Sequence, residues 1–433
     1  MKIYFLSILF TLWSIAAAFG QKTFTDWLKP GENFEIKPFV MAQFWTSYSA
    51  GQELYVDSLG RYEPMGDRFN VMIRRARLGF RVKAYKNFKF VLVGAYDQLG
   101  RDVNTSLVGG PNNGSLPEFG IWDAFAQWRV LPGREALHLT VGYFRPQLSR
   151  ESITSGWSVN SMEKSMSQNY IRRHLVGFGP GRAVGINLGG LLPTGREGLS
   201  FNYNVGVFTP QYLNNFSFVL GQQFSPLYVG RVVVNLGEAE QEKYKIAYDI
   251  NYYNRRKGLS VGLGGSWQGG TNLFESSYAA GVDFLFNWGP LNLDGDWNFM
   301  WRQNQRDMGN EAVRDFTYFS NTGHLRAGYN IVLGKFFLEP AFMLMQFNGA
   351  TDRLGQEDAA AVLASSGRER TYDVGLNWYL NKKRLKLMLH YTWRSGEAGA
   401  AGEGAVVNQY FLQSGLGAIR RGNWIGLGLH VIL

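Results

Sequence analysis

Apolar and polar residues alternate with period two, in windows of about ten residues repeated along the chain. In 199–209, Leu199, Phe201, Tyr203, Val205 and Val207 share one face, and Ser200, Asn202, Asn204 and Gly206 the other. In 372–380, Tyr372, Val374, Leu376, Trp378 and Leu380 stand against Asp373, Gly375, Asn377 and Tyr379. In 384–393, Leu385, Leu387, Leu389, Tyr391 and Trp393 stand against Arg384, Lys386, Met388, His390 and Thr392. Ten residues is the length at which a tilted strand crosses a bilayer. Strands of soluble sandwiches average five or six residues, and their apolar sets are not concentrated in Trp and Tyr, which suit the headgroup zone. The pattern predicts an all-β fold, a transmembrane antiparallel β-barrel with long outer loops and short periplasmic turns.

Eighteen windows alternate. Tight turns at Tyr85-Lys86, Gly289-Pro290, Leu333-Gly334 and Asn381-Lys382, set against long connections such as 49–68, 98–119, 146–181 and 395–421, assign each strand a direction. Counts from the two termini agree only if 243–253 belongs to a periplasmic connection and 406–416 to the last outer loop. Sixteen strands remain: 34–48, 69–84, 87–97, 120–130, 136–145, 182–191, 199–209, 228–236, 258–268, 277–288, 290–302, 323–332, 335–347, 371–380, 383–394 and 422–433. Eighteen is the alternative if both windows cross. Sixteen strands enclose an aqueous lumen, whereas eight fill with side chains.

Composition agrees with a barrel. Aromatic residues make up 15% of the chain, yet mean hydropathy is slightly negative, as expected when only one strand face is apolar. No stretch after the first twenty residues has eighteen consecutive apolar residues, so helical crossing is excluded. Residues 1–20 read as a cleaved signal peptide: basic Lys2, an apolar run from Ile3 to Ala17, and a small-x-small site at Ala18-Phe19-Gly20. Residues 21–433 read as one barrel in the outer membrane of a Gram-negative cell, bathed in outer-membrane lipid. There are no cysteines, which excludes disulfides and thiolate sites. The net charge of +10 becomes +9 when Lys2 is removed; a basic chain suits nucleic acid, an anionic membrane surface or anionic solutes, and the dispersal of its charges argues against a nucleic-acid tail.

The inward faces carry the charge. In 69–84, Ala76, Leu78, Phe80, Val82 and Ala84 form the lipid face, and Arg75, Arg77, Arg81 and Lys83 the lumen face. Arg74 has lipid-face parity near the outer end, where it can reach headgroup phosphates. Arg231, Arg326, Arg384, Lys386 and Arg394 also have inward parity, as do Asp123, Asp283, Asp294, Asp296, Glu339 and Asp373. Arg75, Arg77, Arg81, Lys83, Arg384 and Lys386 are the candidate anion path, with the acids of 283–296 opposite and a transverse field between. A wet lumen face should also accept a charge at Asn377. The connection 146–181, with Arg150, Lys164, Arg172 and Arg173 and a helical piece near 161–172, is either an exposed outer loop or a loop folded inward as the constriction.

Three pieces resemble the phosphate-selective porin O/P family: Arg74-Arg75-Ala76-Arg77-Leu78-Gly79-Phe80, Gly142-Tyr143-Phe144-Arg145-Pro146-Gln147-Leu148-Ser149-Arg150-Glu151, and Tyr203-Asn204-Val205-Gly206-Val207-Phe208. The resemblance implies a sixteen-strand homotrimeric porin whose third outer loop narrows the lumen and whose basic residues line a path for small anions such as phosphate. The chain departs from the family pattern at Arg182-Ala183-Val184-Gly185, where members carry Arg-Asp-hydrophobic-Gly, and it ends on Leu433 where such barrels usually carry an aromatic.

Nothing points to an enzyme. The five histidines, His138, His174, His324, His390 and His430, have no metal-ligand or triad spacing, and no phosphate-binding or dinucleotide motif occurs. No cofactor and no metal site are expected. The reading is a passive, water-filled channel with moderate anion preference. The alternative is a non-conducting barrel serving as structural, secretion-associated or receptor component.

Overall fold

A computed structural model describes residues 34–106, 118–177, 180–193, 198–210, 212–214, 217–219, 223–305, 314–400, 407–413 and 417–433. The signal-peptide segment 1–20 lies outside the described residues. Sixteen long strands run antiparallel: β1 (Phe34–Ala50), β2 (Arg68–Ala84), β3 (Phe88–Leu99), β4 (Gly120–Arg129), β5 (His138–Phe144), β6 (Ala183–Pro193), β7 (Leu199–Thr209), β8 (Leu227–Gly237), β9 (Lys257–Gln268), β10 (Ser276–Trp288), β11 (Leu291–Gln303), β12 (Thr317–Tyr329), β13 (Phe336–Asn348), β14 (Arg368–Asn381), β15 (Leu385–Glu397) and β16 (Asn423–Ile432). Each pairs with the next, and β16 closes on β1 from Met41↔Ile432 to Ala50↔Asn423. Closure leaves no free edge, the condition for a sheet to stand in hydrocarbon. Ile331–Leu333 continues the line of β12 against β13.

The two doubtful windows do not cross. No strand lies between Gly237 and Lys257. In the other window, Leu412–Gln413 pairs with Gly417–Arg420, in a small sheet with Glu53–Val56 and Arg61–Pro64 built from the outer loops. The strand count is therefore sixteen.

Burial follows the alternation. Val374, Leu376, Trp378, Leu389 and Trp393 are exposed toward lipid, whereas Asp373, Asn377 and His390 between them are fully covered. Aromatic pairs such as Phe88 with Trp128 (5.7 Å) and Tyr391 with Trp393 (4.4 Å) thicken the outer surface. No described helix is long and apolar enough to cross a membrane.

One irregularity moves a charge. Gln43 pairs with Arg75 but Phe44 pairs with Ile73, so Arg74 is an extra residue in β2. Such a bulge breaks the parity of side chains. Arg74 and Arg75 both point inward, and Arg74 is only 1% exposed. The parity argument that sent Arg74 to the headgroups is corrected by this insertion.

The lumen holds its own core. The connection 145–182 folds inside and carries two helices. α1 (Arg150–Ile153) is capped by Ser149, whose Oγ accepts from Ser152 N. α2 (Ser167–Val176) ends on Gly177, left-handed at φ 74°. Tyr170, Ile171, Leu175 and Val176 of α2 belong to one apolar cluster with the inward wall residues Phe39, Val91, Val93, Phe125 and Phe208. A third helix, α3 (Arg353–Ala361), lies in an outer loop and is capped by Asp352.

Candidate functional site

Two chain segments meet in the lumen, one from each side. From outside comes the loop 145–182. From the periplasmic side comes 238–256, the connection from β8 to β9, whose entry into the barrel the alternation did not reveal. Thr154 and Tyr248 form a parallel bridge, Ser155 N donates to Tyr248 O (3.3 Å), and Ser158 Oγ donates to Asp249 Oδ1 (2.5 Å).

In the periplasmic segment, which among the described residues makes only a single bridge, at Tyr248, neighbouring side chains alternate between covered and open surroundings. Tyr244, Tyr248 and Ile250 are buried, and Lys243, Lys245 and Ala247 are exposed. Tyr244 Oη donates to Asn204 Oδ1 (2.5 Å) and accepts from Asn187 Nδ2 (3.0 Å). Its ring lies over Gly189, where a Cβ would stand 2.1 Å from the hydroxyl, so β6 needs glycine there. Tyr248 Oη accepts from Asn202 Nδ2 (3.0 Å), and Asn251 Nδ2 donates to Asn330 (2.7 Å) and Glu339 (3.0 Å). Lys383 Nζ donates to Asp249 (2.6 Å), and this contact holds the Asp249 carboxyl below its ordinary range against the opposing effect of burial.

Arg150 joins both segments to the wall. Its guanidinium donates to Glu240 (2.6 and 3.0 Å) and to Asp283 of β10 (3.0 Å), which also accepts from Arg231 of β8 (2.7 and 2.9 Å). Burial alone would lower its pKa, but the two carboxylates outweigh burial and hold it raised.

The remaining candidates separate by environment. Arg75 pairs with Glu163 of the loop and donates to Gln43 (2.7 Å), and Arg74 donates to the same Glu163 (2.8 Å). Arg77 binds Asp97 of β3 (3.0 Å) and lies over the Trp122 ring (4.0 Å), which Arg182 also covers (3.8 Å) while donating to Asp123 (2.8 Å). Lys386 is fully buried and donates to Val159 O (2.8 Å). Arg384 lies in the turn before β15, exposed at the periplasmic rim and off the wall. Arg173 is half-buried on α2. Asn377 is covered by the loop and donates to Asn160 O (2.6 Å), so the wet surface expected there is absent at this residue.

Arg81 and Lys83, on the periplasmic half of β2, are exposed. Arg81 lies over the Phe39 ring (4.6 Å), and Lys83 pairs with Glu35 (2.9 Å). Lys89 of β3 feels the charge of Arg81, Lys245 and Lys83. These side chains make a basic periplasmic vestibule, to which the inserted segment contributes Lys243 and Lys245.

Three further cations converge beneath the loop. Arg145, which ended the expected strand 136–145 on its apolar face, lies just beyond β5 and donates to Ser152 O (2.8 Å) and Thr154 O (3.0 Å). Lys164 donates to Thr154 O (2.7 Å), and Arg172 to Ser152 O (2.7 Å). Among the described residues none of the three has a carboxylate within the 4 Å of an ion pair. Burial, then repulsion from Arg172, lowers the Lys164 ammonium well below its ordinary range. Burial, then Arg145, does the same to Arg172, and burial, then Arg182, brings Arg145 down to about 9.

The acids expected opposite the basic strip are neutralised locally. Asp283 has Arg231 and Arg150; Asp294 has Arg326 (3.1 Å); Asp296 has His324 (2.8 Å). The transverse field drawn from parity is thereby weakened.

Solved structures of similar fold are an anion-selective porin from Comamonas acidovorans (TM-score 0.54, 13% identity, 92% of this chain and 100% of that one), Salmonella typhi OmpF in complex with daunomycin (0.53, 12%, 93% and 98%) and Pseudomonas putida OprB at high pH (0.56, 9%, 93% and 94%). No curated protein matches the sequence. The sequence model described as "Phosphate-selective porin O and P" matches residues 56–413, most of the barrel. With its closed sixteen-strand sheet and inward-folded third outer loop, this chain is an outer-membrane porin belonging to the phosphate-selective porin O and P family.

Proposed function

We propose that the chain is exported with removal of residues 1–20, assembles as a trimer, and lets small anions, phosphate among them, diffuse passively past a basic vestibule and a constriction made by 145–182 and 238–256. One observation carries this reading. The inward carboxylates Asp97, Asp123, Asp283 and Asp294 each have an arginine partner, while Arg81, exposed in the vestibule, and Arg145, partly buried beneath the loop, have no carboxylate partner among the described residues. An excess of fixed positive charge in a confined aqueous space raises the local anion concentration. Arginine suits oxyanions because its planar fork donates two parallel hydrogen bonds and stays charged at physiological pH.

The reversal potential of the purified protein in a KCl gradient, repeated with phosphate, tests the reading. Anion preference is expected, strongest at low salt, where screening is weakest. Arg81→Glu should move the ratio toward cations without loss of folding, because the side chain is exposed. A second reading, a non-conducting scaffold, draws on the depth to which the two segments fill the lumen, and absence of any conductance would favour it.

A further inference from the structure

We propose that Glu151, Asp294 and His324 form a buried site for a first-row divalent cation, with Zn2+ as the fitting example. Glu151 comes from α1, Asp294 from β11 and His324 from β12. Each offers one ligand atom, all within 4.8 Å of one another, and none of the three is exposed. His324 Nε2 lies 3.1 Å from Asp294 Oδ2 and 3.6 Å from Glu151 Oε2. A tetrahedral ion with bonds of about 2.0 Å has ligand–ligand edges of about 3.3 Å, between these two values.

Two observations favour an ion over a proton at Nε2. A proton there serves one acceptor, and Asp294 is the nearer. Glu151 Oε2, fully buried and aimed at the same nitrogen, then has no hydrogen-bond donor, and Asp294 Oδ1 also has none. A buried carboxylate oxygen in that position is costly, and a cation between Nε2 and Glu151 Oε2 satisfies it. Charge points the same way. Glu151, Asp294 and Asp296 contribute −3 and Arg326 +1; a protonated His324 leaves −1, and a divalent ion with a neutral imidazole leaves zero.

The outer groups are arranged for it as well. Asp296, directly across the ladder from His324, accepts from Nδ1 (2.8 Å), which directs the Nε2 lone pair toward the other two ligands. Arg326 donates to Asp294 Oδ2 (3.1 Å) and Glu151 Oε1 (2.8 Å), and Ser165 N donates to Glu151 Oε1 (2.6 Å). One imidazole nitrogen with carboxylate oxygens suits intermediate ions and not thiophilic ones. The ion would clamp α1 to the β11–β12 wall and so hold the constriction loop. The proposal rests on the barrel and its loop, not on anion preference.

The enclosure means that the ion is taken up as the loop docks. The test is therefore to refold the full chain with Zn2+, dialyse without chelator, and measure metal content and X-ray absorption. The expected result is about one Zn2+ per chain with one imidazole nitrogen and two or more oxygens at about 2.0–2.2 Å. His324→Gln should abolish retention, Asp296→Asn should weaken affinity about 10–100-fold, and His430→Gln, at a distant buried histidine, should leave it unchanged. Heat-modifiable gel mobility reports folding. If His324→Gln fails to fold, Glu151→Gln, on the loop, takes its place, and the absorption spectrum of the unaltered chain decides independently. No retained zinc, zinc coordinated by oxygen alone, or equal retention in a folded His324→Gln chain would overturn the proposal.

Discussion

Replacing Arg150 by methionine should open the lumen from the periplasmic side. The guanidinium donates twice to Glu240 and once to Asp283. Asp283 keeps Arg231 after the change, so the carboxylate left uncompensated is Glu240, at the start of the inserted segment. Removing one partner of a buried ion pair costs about 3–5 kcal/mol. At about 1.4 kcal/mol per tenfold, the docked state loses a factor of roughly 10² to 10^3.5 against an undocked one in which Glu240 is hydrated. Single-channel conductance in a planar bilayer should rise. Combining Arg150→Met with Glu240→Leu should bring it back down, since replacing both members of a buried pair is near neutral. Acid should mimic the single change. Burial pushes the Glu240 carboxyl up, but Arg150 outweighs it and holds it below the ordinary range. The contact is therefore complete above about pH 4.3, the ordinary Glu value, and is lost as pH falls through the lowered value. A folded Arg150→Met protein with unchanged conductance would show that Tyr244 and Asn251 hold the segment without this pair.

Leu376→Arg places a cation on the lipid face and should cost about 2–4 kcal/mol near mid-membrane, read as a lower denaturation midpoint in detergent or lipid. Asn377→Arg should also destabilise, for a different reason: it displaces the Asn160 and Glu339 contacts beneath the loop. An epitope near Gly355, within α3 in an outer loop, should be reachable by antibody on intact cells, and one between Asn381 and Lys382 should not. At low salt Arg75→Glu should damage the loop contact to Glu163 before it changes selectivity, whereas Arg81→Glu should change selectivity alone. Gel mobility and reversal potential together separate these two outcomes.

The strands were legible because lipid imposes period two on one face and water or loop imposes polarity on the other. Leu376 and Asn377 show this as adjacent residues with opposite surroundings. The count of sixteen followed from turn lengths and strand directions. The destination of the connections was not legible. Residues 243–253 alternate as a strand does, because Tyr244 and Tyr248 face the asparagine-rich wall and Lys243 and Lys245 face open space. Periodicity reports two unlike sides and does not say whether the outer one is lipid. Arg74 was misplaced because a single bulge residue leaves no mark in composition. Arg150 of the loop was visible as a candidate, but its partners Glu240 and Asp283 lie 90 and 133 residues away, and no local pattern encodes such pairings. Arg145, the last residue of the expected strand 136–145, shares parity with Leu139 and Val141 on the apolar face and was passed over.

The inserted segment 238–256 joins the two halves of the chain, and its contacts divide between them. Tyr244 and Tyr248 bind β6 and β7 behind it in sequence. Asn251 and Asp249 bind Asn330, Glu339 and Lys383, which are synthesised later. Until β13 and the turn before β15 are in place, half of its partners do not exist. Its long-range contacts carry the loop-closure entropy of everything between them. The segment can therefore seat fully only once the turn before β15 is in place, and its seating reports that both halves have joined. A chain stalled before β13 would lack Glu339 and Lys383, leave the segment in the periplasm, and present it there to proteases.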